Sequence, residues 1–137
     1  MINSVAITST SVNAGQNVLF TTDRCRTNSC KCGGWLTHDN GSGLFTINRQ
    51  GIYEIEYNAN ITSATVGAIS LVLELNGEAI GGTKAIYNVG TANELGHVSA
   101  STLLCVPCGC CVNVSLGNDS ASDISVQDAN IIIKKIA

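Results

Sequence analysis

Alternation of apolar and polar residues over short runs is the sequence feature that most restricts what this chain can fold into. In "IYEIEY", Tyr53, Ile55 and Tyr57 would share one face of an extended chain, and Glu54 and Glu56 would share the other. No long stretch carries the 3.6-residue period of an amphipathic helix. The pattern therefore predicts an all-β protein.

Further alternating runs, separated by Gly, Asn and Asp, predict short antiparallel strands along the whole chain. The pair Asn76-Gly77 is the strongest short-range hairpin signal among the turns. Strands at this spacing predict a sandwich or a jelly roll that forms a single domain over residues 1–137, with residues 1–14 as a candidate N-terminal arm or connector strand. The predicted strands cover residues 17–22, 43–62, 68–80, 83–89, 97–106, 111–118 and 130–137.

Charged side chains are scarce in this sequence. They make up 12% of the residues, against 45% hydrophobic residues, and soluble domains usually carry about 25% charged residues. A surface with so few charges predicts that part of the apolar excess lies in the interfaces of an obligate oligomer. A net charge of −3 argues against a nucleic-acid partner, which requires a basic stripe.

The sequence also argues against a membrane partner and a signal peptide. No apolar run approaches the roughly 18 residues of a membrane-spanning helix. The beginning of the chain, "MINSVAITST", lacks the basic and apolar regions of a secretory signal. We therefore expect neither a membrane partner nor secretion through a cleaved leader.

One segment, "FTINRQGIYEIEY", resembles the core signature of the complement/tumour-necrosis-factor jelly-roll superfamily. Phe45, Gly51, Tyr53 and Tyr57 match that signature, and Ile55 stands where a Phe is usual. The upstream half of the signature is absent, and a cysteine-rich segment takes its place. The resemblance implies an antiparallel jelly-roll sandwich that assembles as a homotrimer.

Two longer segments, "GIYEIEYNANITSATVGAISLVLELNG" and "IIIKKIA", resemble the C-terminal jelly roll of the collagen-like spore-surface BclA proteins and of small prophage-encoded proteins of Firmicutes. This resemblance implies a non-enzymatic structural or display protein on a spore surface, an appendage fibre or a phage virion, with trimers that stack into fibres. The alternative is a head domain that binds a surface glycan or receptor. In such a trimer, the small polar residues His97, Ser99 and Ser101 would suit the threefold axis.

The cysteines form two clusters, "CRTNSCKC" and "CVPCGCC". Disulfides are the favoured interpretation, because cysteine-dense β domains in oxidising surroundings are usually cross-linked. An odd number of thiols leaves at least one free or bridging two chains. The candidates for disulfides or cross-links are Cys25, Cys30, Cys32, Cys105, Cys108, Cys110 and Cys111.

Two other interpretations of the cysteines stay open. Soft ligands for zinc would come from Cys30, Cys32, Cys105 and Cys108, although their spacing departs from that of zinc ribbons. The pair Cys105 and Cys108 also has the spacing of a redox CxxC motif. That chemistry requires a helix N-terminus, and here the motif connects two predicted strands.

The remaining polar clusters predict surface loops more than sites. The sequence "THDNGSG", with His38 and Asp39, is typical of a surface turn. The loop "GNDSASD" offers Asp119 and Asp123 as oxygen ligands for calcium, which is an alternative to an empty acidic loop. No Ser–His–Asp triad can be assembled from the motifs, so we predict no enzyme activity and no cofactor.

The two glutamates of "IYEIEY" are the remaining feature of note. Glu54 and Glu56 are predicted to form a face that is either exposed or salt-bridged. Their expected partners are Lys84, Lys134 or Lys135.

Overall fold

The computed structural model describes residues 1–26, 34–109 and 111–137, and within these ranges the chain forms twelve strands and no helix. In chain order the strands are β1 (Ile2–Ala6), β2 (Thr10–Val12), β3 (Thr22–Arg26), β4 (Leu36–Thr37), β5 (Phe45–Ile47), β6 (Gly51–Thr62), β7 (Gly67–Leu75), β8 (Glu78–Ala79), β9 (Ala85–Val89), β10 (Gly96–Val106), β11 (Val112–Asn118) and β12 (Ile124–Lys135).

The strands form two six-stranded sheets. Sheet I has the order β10-β6-β12-β1-β3, with β2 also paired to β12, and sheet II has the order β4-β5-β11-β7-β8, with β9 also paired to β7. Every strand pairing is antiparallel. The predicted all-β antiparallel sandwich is confirmed.

The core lies between the two sheets and follows the alternation of the sequence. Tyr53, Ile55 and Tyr57 of β6 are buried against sheet II, whereas Glu54 and Glu56 lie on the opposite face and are partly exposed. Burial of aliphatic and aromatic side chains from both sheets supplies the main driving force for folding. In sheet II, Ile69, Leu71 and Leu73 of β7 belong to the same core.

Tyr57 connects the two sheets through its hydroxyl group. The hydroxyl donates to the backbone oxygens of Leu71, at 3.0 Å, and Thr83, at 2.8 Å. Burial raises the pKa of Tyr57 to about 12, because the phenolate would lose its hydration inside the sandwich. The folded protein therefore holds this proton to higher pH than the unfolded chain does.

Replacing Tyr57 with Phe is expected to lower the free energy of unfolding by about 1–3 kcal/mol at neutral pH, because two buried carbonyl oxygens lose their donor. The raised pKa also means that the stability contributed by Tyr57 is complete below pH ~10 and is lost as the pH rises toward ~12. Urea unfolding from pH 7 to 12 should show a smaller alkaline loss for Tyr57→Phe than for the wild type. Tyr87→Phe, at the rim of the core, is the comparison variant. Identical stability and pH profiles for Tyr57→Phe and the wild type would contradict this role.

The N-terminal residues form strands of their own sheet. β1 lies between β12 and β3, with Ile2 opposite Ile133 and Ala6 opposite Ala129, so both ends of the chain lie at the same end of sheet I. β2 pairs with β12 further along. An N-terminal arm that added a strand to a neighbour would first have to leave this sheet.

The strand predicted at residues 17–22 is wrong in its position. Only isolated bridges occur there, at Asn17 and Phe20, and the regular strand begins at Thr22. The segment passes from sheet II to sheet I: the backbone N–H of Val18 donates to Leu116, and that of Thr21 donates to Val5. Val18 and Phe20 are both buried, which accounts for the apolar alternation in the sequence. The segment is not a regular strand because its hydrogen-bonding partners change along its length.

Gly96 allows β9 and β10 to close one side of the sandwich. A Cβ atom at this position would lie 2.4 Å from ring atoms of Tyr87. A real Cβ cannot approach an aromatic ring so closely, and β10 therefore begins with the one residue that admits the ring.

Candidate functional site

One face of sheet I points away from the core. We call it the outer face of sheet I. Alternation along each strand places on it side chains that do not contact sheet II. Its members are Asn3, Val5, Cys25, Ile52, Glu54, Glu56, Asn58, Asn60, His97, Ser99, Ser101, Leu103, Cys105, Asn130, Ile132 and Lys134.

Amide and hydroxyl side chains dominate the middle of the outer face. The Asn3 amide donates to the side-chain oxygen of Asn130, and His97 Nδ1 lies 3.0 Å from Asn60 Oδ1. Charged side chains are few on this face. Two of them form an ion pair, because Lys134 Nζ lies 4.0 Å from Glu54 Oε2. The predicted pairing of Glu54 with a lysine is therefore confirmed.

The three residues predicted for a threefold axis lie together on the outer face. His97, Ser99 and Ser101 alternate along β10, and all three are exposed. β10 is an edge strand of sheet I, so these short side chains lie where another molecule can approach closely. Their place on a symmetry axis stays a prediction.

Large apolar side chains are exposed along the edge formed by β9 and β10. Ile86 of β9 is 59% exposed, Leu95 just before β10 is 54% exposed, and Leu103 of β10 is 66% exposed. We call this set the β9–β10 edge. Single exposed apolar residues are common on proteins, but several along one edge indicate a surface that another chain covers.

The cysteines that the structure describes are unpaired. Cys25, Cys105, Cys108 and Cys111 are exposed free thiols. The predicted disulfides are therefore not seen among these four, and Cys30, Cys32 and Cys110 lie outside the described residues. Over residues 1–26, 34–109 and 111–137, no group of three or more His, Cys, Asp or Glu side chains could hold a metal ion.

A buried polar cluster that the sequence did not predict surrounds His38. Its Nδ1 lies 2.7 Å from Asp23 Oδ1, its Nε2 lies 3.0 Å from the backbone oxygen of Ser42, and its ring stacks on Phe45 with centroids 4.0 Å apart. Ser4 Oγ donates to the same carboxylate oxygen at 2.9 Å. Both ring nitrogens lie within hydrogen-bonding distance of oxygen atoms, so the imidazole is held from both sides.

This cluster corrects the prediction of a surface turn at His38 and Asp39. His38 is buried, whereas Asp39 is exposed and the carboxylate that contacts the imidazole comes from β3. Arg26 continues the cluster by donating to the backbone oxygens of His38 and Leu36. The hydroxyl of Ser4 contacts Asp23 and not the imidazole, so the arrangement braces β1, β3 and the loop before β5 and does not resemble a nucleophilic triad.

Both carboxylates of the acidic loop before β12 contact other groups of the protein. Asp119 Oδ2 lies 3.0 Å from Lys84 Nζ, and Asp123 accepts a hydrogen bond from the backbone N–H of Ala14 at 3.1 Å. Lys84 therefore pairs with Asp119 and not with Glu54 or Glu56. Burial, together with the nearby charge of Asp119, raises the pKa of Glu74 on β7.

Solved structures of other proteins share the fold of this chain. No protein-family model matches this chain, and no curated protein does. The globular domain of zebrafish complement 1qA is similar over 99% of this chain and 96% of its own, with a TM-score of 0.71 and 14% identity. The Eiger TNF from S. frugiperda is similar over 99% of this chain and 92% of its own, with a TM-score of 0.71 and 12% identity.

The chain has the complement/tumour-necrosis-factor jelly-roll fold. A third structure, the PRD1 vertex protein P5, is similar over 99% of this chain and 96% of its own, with a TM-score of 0.53 and 17% identity. The predicted superfamily likeness is therefore confirmed for the fold, and the narrower likeness to BclA proteins stays a prediction. Across the described ranges, no helix is long and apolar enough to span a membrane.

Proposed function

We propose that this protein is a non-enzymatic structural or display protein whose jelly roll assembles as a homotrimer. One observation carries the proposal: the outer face of sheet I is short of charge and uncovered, and it adjoins an apolar β9–β10 edge on the same protomer. Interface centres are depleted in charged side chains, which fits both surfaces. The two surfaces share only Leu103, so contact between them would be heterologous, and it forms a ring when the rotation between successive copies closes.

Three copies in the ring is the number that the jelly-roll resemblance implies. In this arrangement, the β9–β10 edge of each protomer packs on the outer face of sheet I of the next. His97, Ser99 and Ser101 then lie near the centre of the ring, where short side chains allow close approach. Leu103 and Leu95 become covered by the neighbour.

The proposed location is an external surface, that of a spore, of an appendage fibre or of a virion. The fold shared with a vertex protein and the sequence resemblance to spore-surface proteins both support it. Immunogold electron microscopy of spores, appendage fibres and phage particles from the producing strain tests the location. Label confined to the cell interior would contradict it.

The oligomeric state is the direct test of the assembly. Light scattering of the purified wild type at micromolar concentration should give three times the chain mass of 14.2 kDa. Ser99→Arg should dissociate the trimer, because a long cation would be placed in the interface while the exposed position tolerates it within the protomer. We expect a loss of at least tenfold in trimer affinity, measured by sedimentation equilibrium.

Ser9→Arg is the matched control, since Ser9 is exposed in the turn between β1 and β2 and lies off both proposed surfaces. It should remain trimeric. A wild type that is monomeric at micromolar concentration would overturn the assembly. Equal effects of the two substitutions would mean that the outer face of sheet I is not the interface.

A second candidate function, binding of a surface glycan or receptor, is favoured by one groove. Its volume is about 330 Å³, and its mostly apolar wall, which includes Val12 and Leu19, also carries hydroxyl and amide side chains from residues 10–21. Uncharged donors and acceptors beside an apolar contact are suited to sugar hydroxyls. A glycan array probed with the wild type and with Asn17→Ala tests this function. Signal that is absent, or that is equal for both proteins, would contradict binding in this groove.

A further inference from the structure

The groove of residues 10–21 lies between two arms of the chain that bond to different sheets. One arm is β2, which pairs with β12 of sheet I. The other arm follows sheet II, where the backbone N–H of Val18 donates to Leu116. A turn at residues 13–16 joins the two arms and closes one end of the groove. The groove therefore opens between a strand of sheet I and a segment bonded to sheet II.

One buried asparagine holds both arms in place. The side-chain nitrogen of Asn118, a residue that is 2% exposed, donates to the backbone oxygen of Val12 at 3.0 Å. The backbone oxygen of Asn118 accepts from Gly15 at 3.0 Å, and its backbone N–H donates to Gln16 at 2.9 Å. The groove is therefore formed before a ligand arrives, which reduces the ordering entropy that binding would cost.

The polar side chains of the groove are uncharged and have no partner in the described part of the protein. No side-chain hydrogen bond to another described residue is made by Thr10, Ser11, Asn13, Gln16 or Asn17. Among the residues that the structure describes, no Lys, Arg, Asp or Glu lines the groove. An anionic ligand would lose hydration here without gaining a cation. The lining therefore favours a neutral ligand that both donates and accepts hydrogen bonds.

The apolar part of the wall is aliphatic. Val12 is buried and Leu19 is 54% exposed, so Leu19 is the apolar side chain that a ligand can cover. Asn17 and Leu19 lie beside each other, since a Cβ atom added at Gly43 would be 3.0 Å from Asn17 Cβ and 3.4 Å from Leu19 Cδ2. An amide and a branched apolar side chain therefore form one patch of the wall.

We propose that the groove selects a neutral sugar that carries an acetamido group, such as N-acetylglucosamine. The inference rests on the second candidate function, glycan binding in this groove, and names the class of ligand. An acetamido group presents an N–H donor, a carbonyl acceptor and a methyl group within a few atoms. The side-chain amide of Asn17 has an acceptor and donors for the two polar atoms. Leu19 provides the apolar contact for the methyl group.

This chemistry distinguishes acetamido sugars from two related classes. A plain hexose has a hydroxyl in place of the acetamido group, so Leu19 would remain exposed to water when the hexose binds. Loss of one methyl-sized contact in an apolar site lowers affinity by about tenfold or more. An acidic sugar such as N-acetylmuramic acid adds a carboxylate, for which the described lining has no cation.

Titration of the full-length wild type with three methyl glycosides, followed by nuclear magnetic resonance, tests the selection. The glycosides are those of N-acetylglucosamine, glucose and N-acetylmuramic acid. The dissociation constant for the N-acetylglucosamine glycoside should be at least ~10-fold lower than for the other two. Its acetyl methyl group should give the largest saturation-transfer signal. Equal affinities, or a preference for the glucose or muramic acid glycoside, would overturn the proposal.

Leu19→Ala locates the contact. The position is exposed, so the variant should fold as the wild type does, which thermal unfolding verifies. Its affinity for the N-acetylglucosamine glycoside should fall at least ~10-fold, and its affinity for the glucose glycoside should not change. Leu44→Ala is the matched control, because Leu44 is 45% exposed and does not line the groove. Equal affinities in the two variants would overturn the role of Leu19.

The results also separate this inference from the function on which it rests. Glycans that bind without preference for the acetamido group, and that lose affinity in Asn17→Ala, would overturn the selection alone. A wild type that binds neither the arrayed glycans nor any of the three glycosides would overturn glycan binding, and the selection with it.

Discussion

Replacing Asp23 with Ala is expected to lower the free energy of unfolding by about 1–3 kcal/mol for each buried hydrogen bond that is lost, because the His38 imidazole and the Ser4 hydroxyl lose the carboxylate they contact. The side chain of His38 is fully buried and that of Asp23 nearly so. Asp23 Oδ1 also accepts a hydrogen bond from the Ser4 hydroxyl, and Asp23 Oδ2 lies 3.4 Å from Arg26 Nη1. Loss of one carboxylate thus disconnects β1, β3 and the loop before β5.

Urea unfolding at one fixed protomer concentration is the measurement, since assembly adds to apparent stability. The matched control is Asp39→Ala, which removes the carboxylate adjacent to His38 in sequence. Asp39 is exposed, and its substitution should change the unfolding free energy by less than about 0.5 kcal/mol. If the two variants were equally stable, the buried pair would not be the element that holds β3 to the sandwich.

Deleting residues 1–7 is expected to abolish cooperative folding. The deletion removes β1, which lies inside sheet I, so that β12 loses one neighbour and β3 loses the one strand with which it pairs among the described residues. It also removes the buried side chains of Ile2 and Ala6 and the hydroxyl of Ser4 that contacts Asp23. Far-ultraviolet circular dichroism during heating should show no sharp transition.

Insertion of two glycines between Thr8 and Ser9 provides the comparison, because that turn is exposed and outside the strands. The insertion should be tolerated with a small loss, since lengthening a surface loop costs little closure entropy. A deletion variant that melts like the wild type would restore the hypothesis that the first residues are a free arm available to a neighbouring subunit.

The strands and their inward faces could be predicted because they depend on neighbours in sequence. Spacing alone predicts one buried face for Tyr53, Ile55 and Tyr57, and that face of β6 is buried in the structure. The segment at residues 17–22 shows the limit of this signal. Val18 and Phe20 alternate like a strand, but a strand also needs one continuous hydrogen-bonding partner, and the segment changes sheets.

The buried cluster and the placement of the thiols could not be predicted, since both depend on which distant strands become neighbours. His38 and Asp23 are brought together by the packing of β3 against the loop that follows β4, and nothing in the local sequence of either residue indicates the other. In the same way, Cys25 and Cys105 belong to different sequence clusters. Only the strand order shows that they lie at opposite edges of one face.

The antiparallel register of β1 and β12 has a practical consequence for tethering this protein. Since Ile2 lies opposite Ile133, a linker attached to either terminus leaves the molecule from one pole. The turns at residues 63–66, 90–95 and 119–123 lie at the other pole, where the backbone N–H of Asn93 donates to Ser63. A domain immobilised through its N-terminus or its C-terminus would present the same distal turns outward. Reporters or epitopes grafted into these turns would therefore remain accessible in N-terminal and in C-terminal fusions.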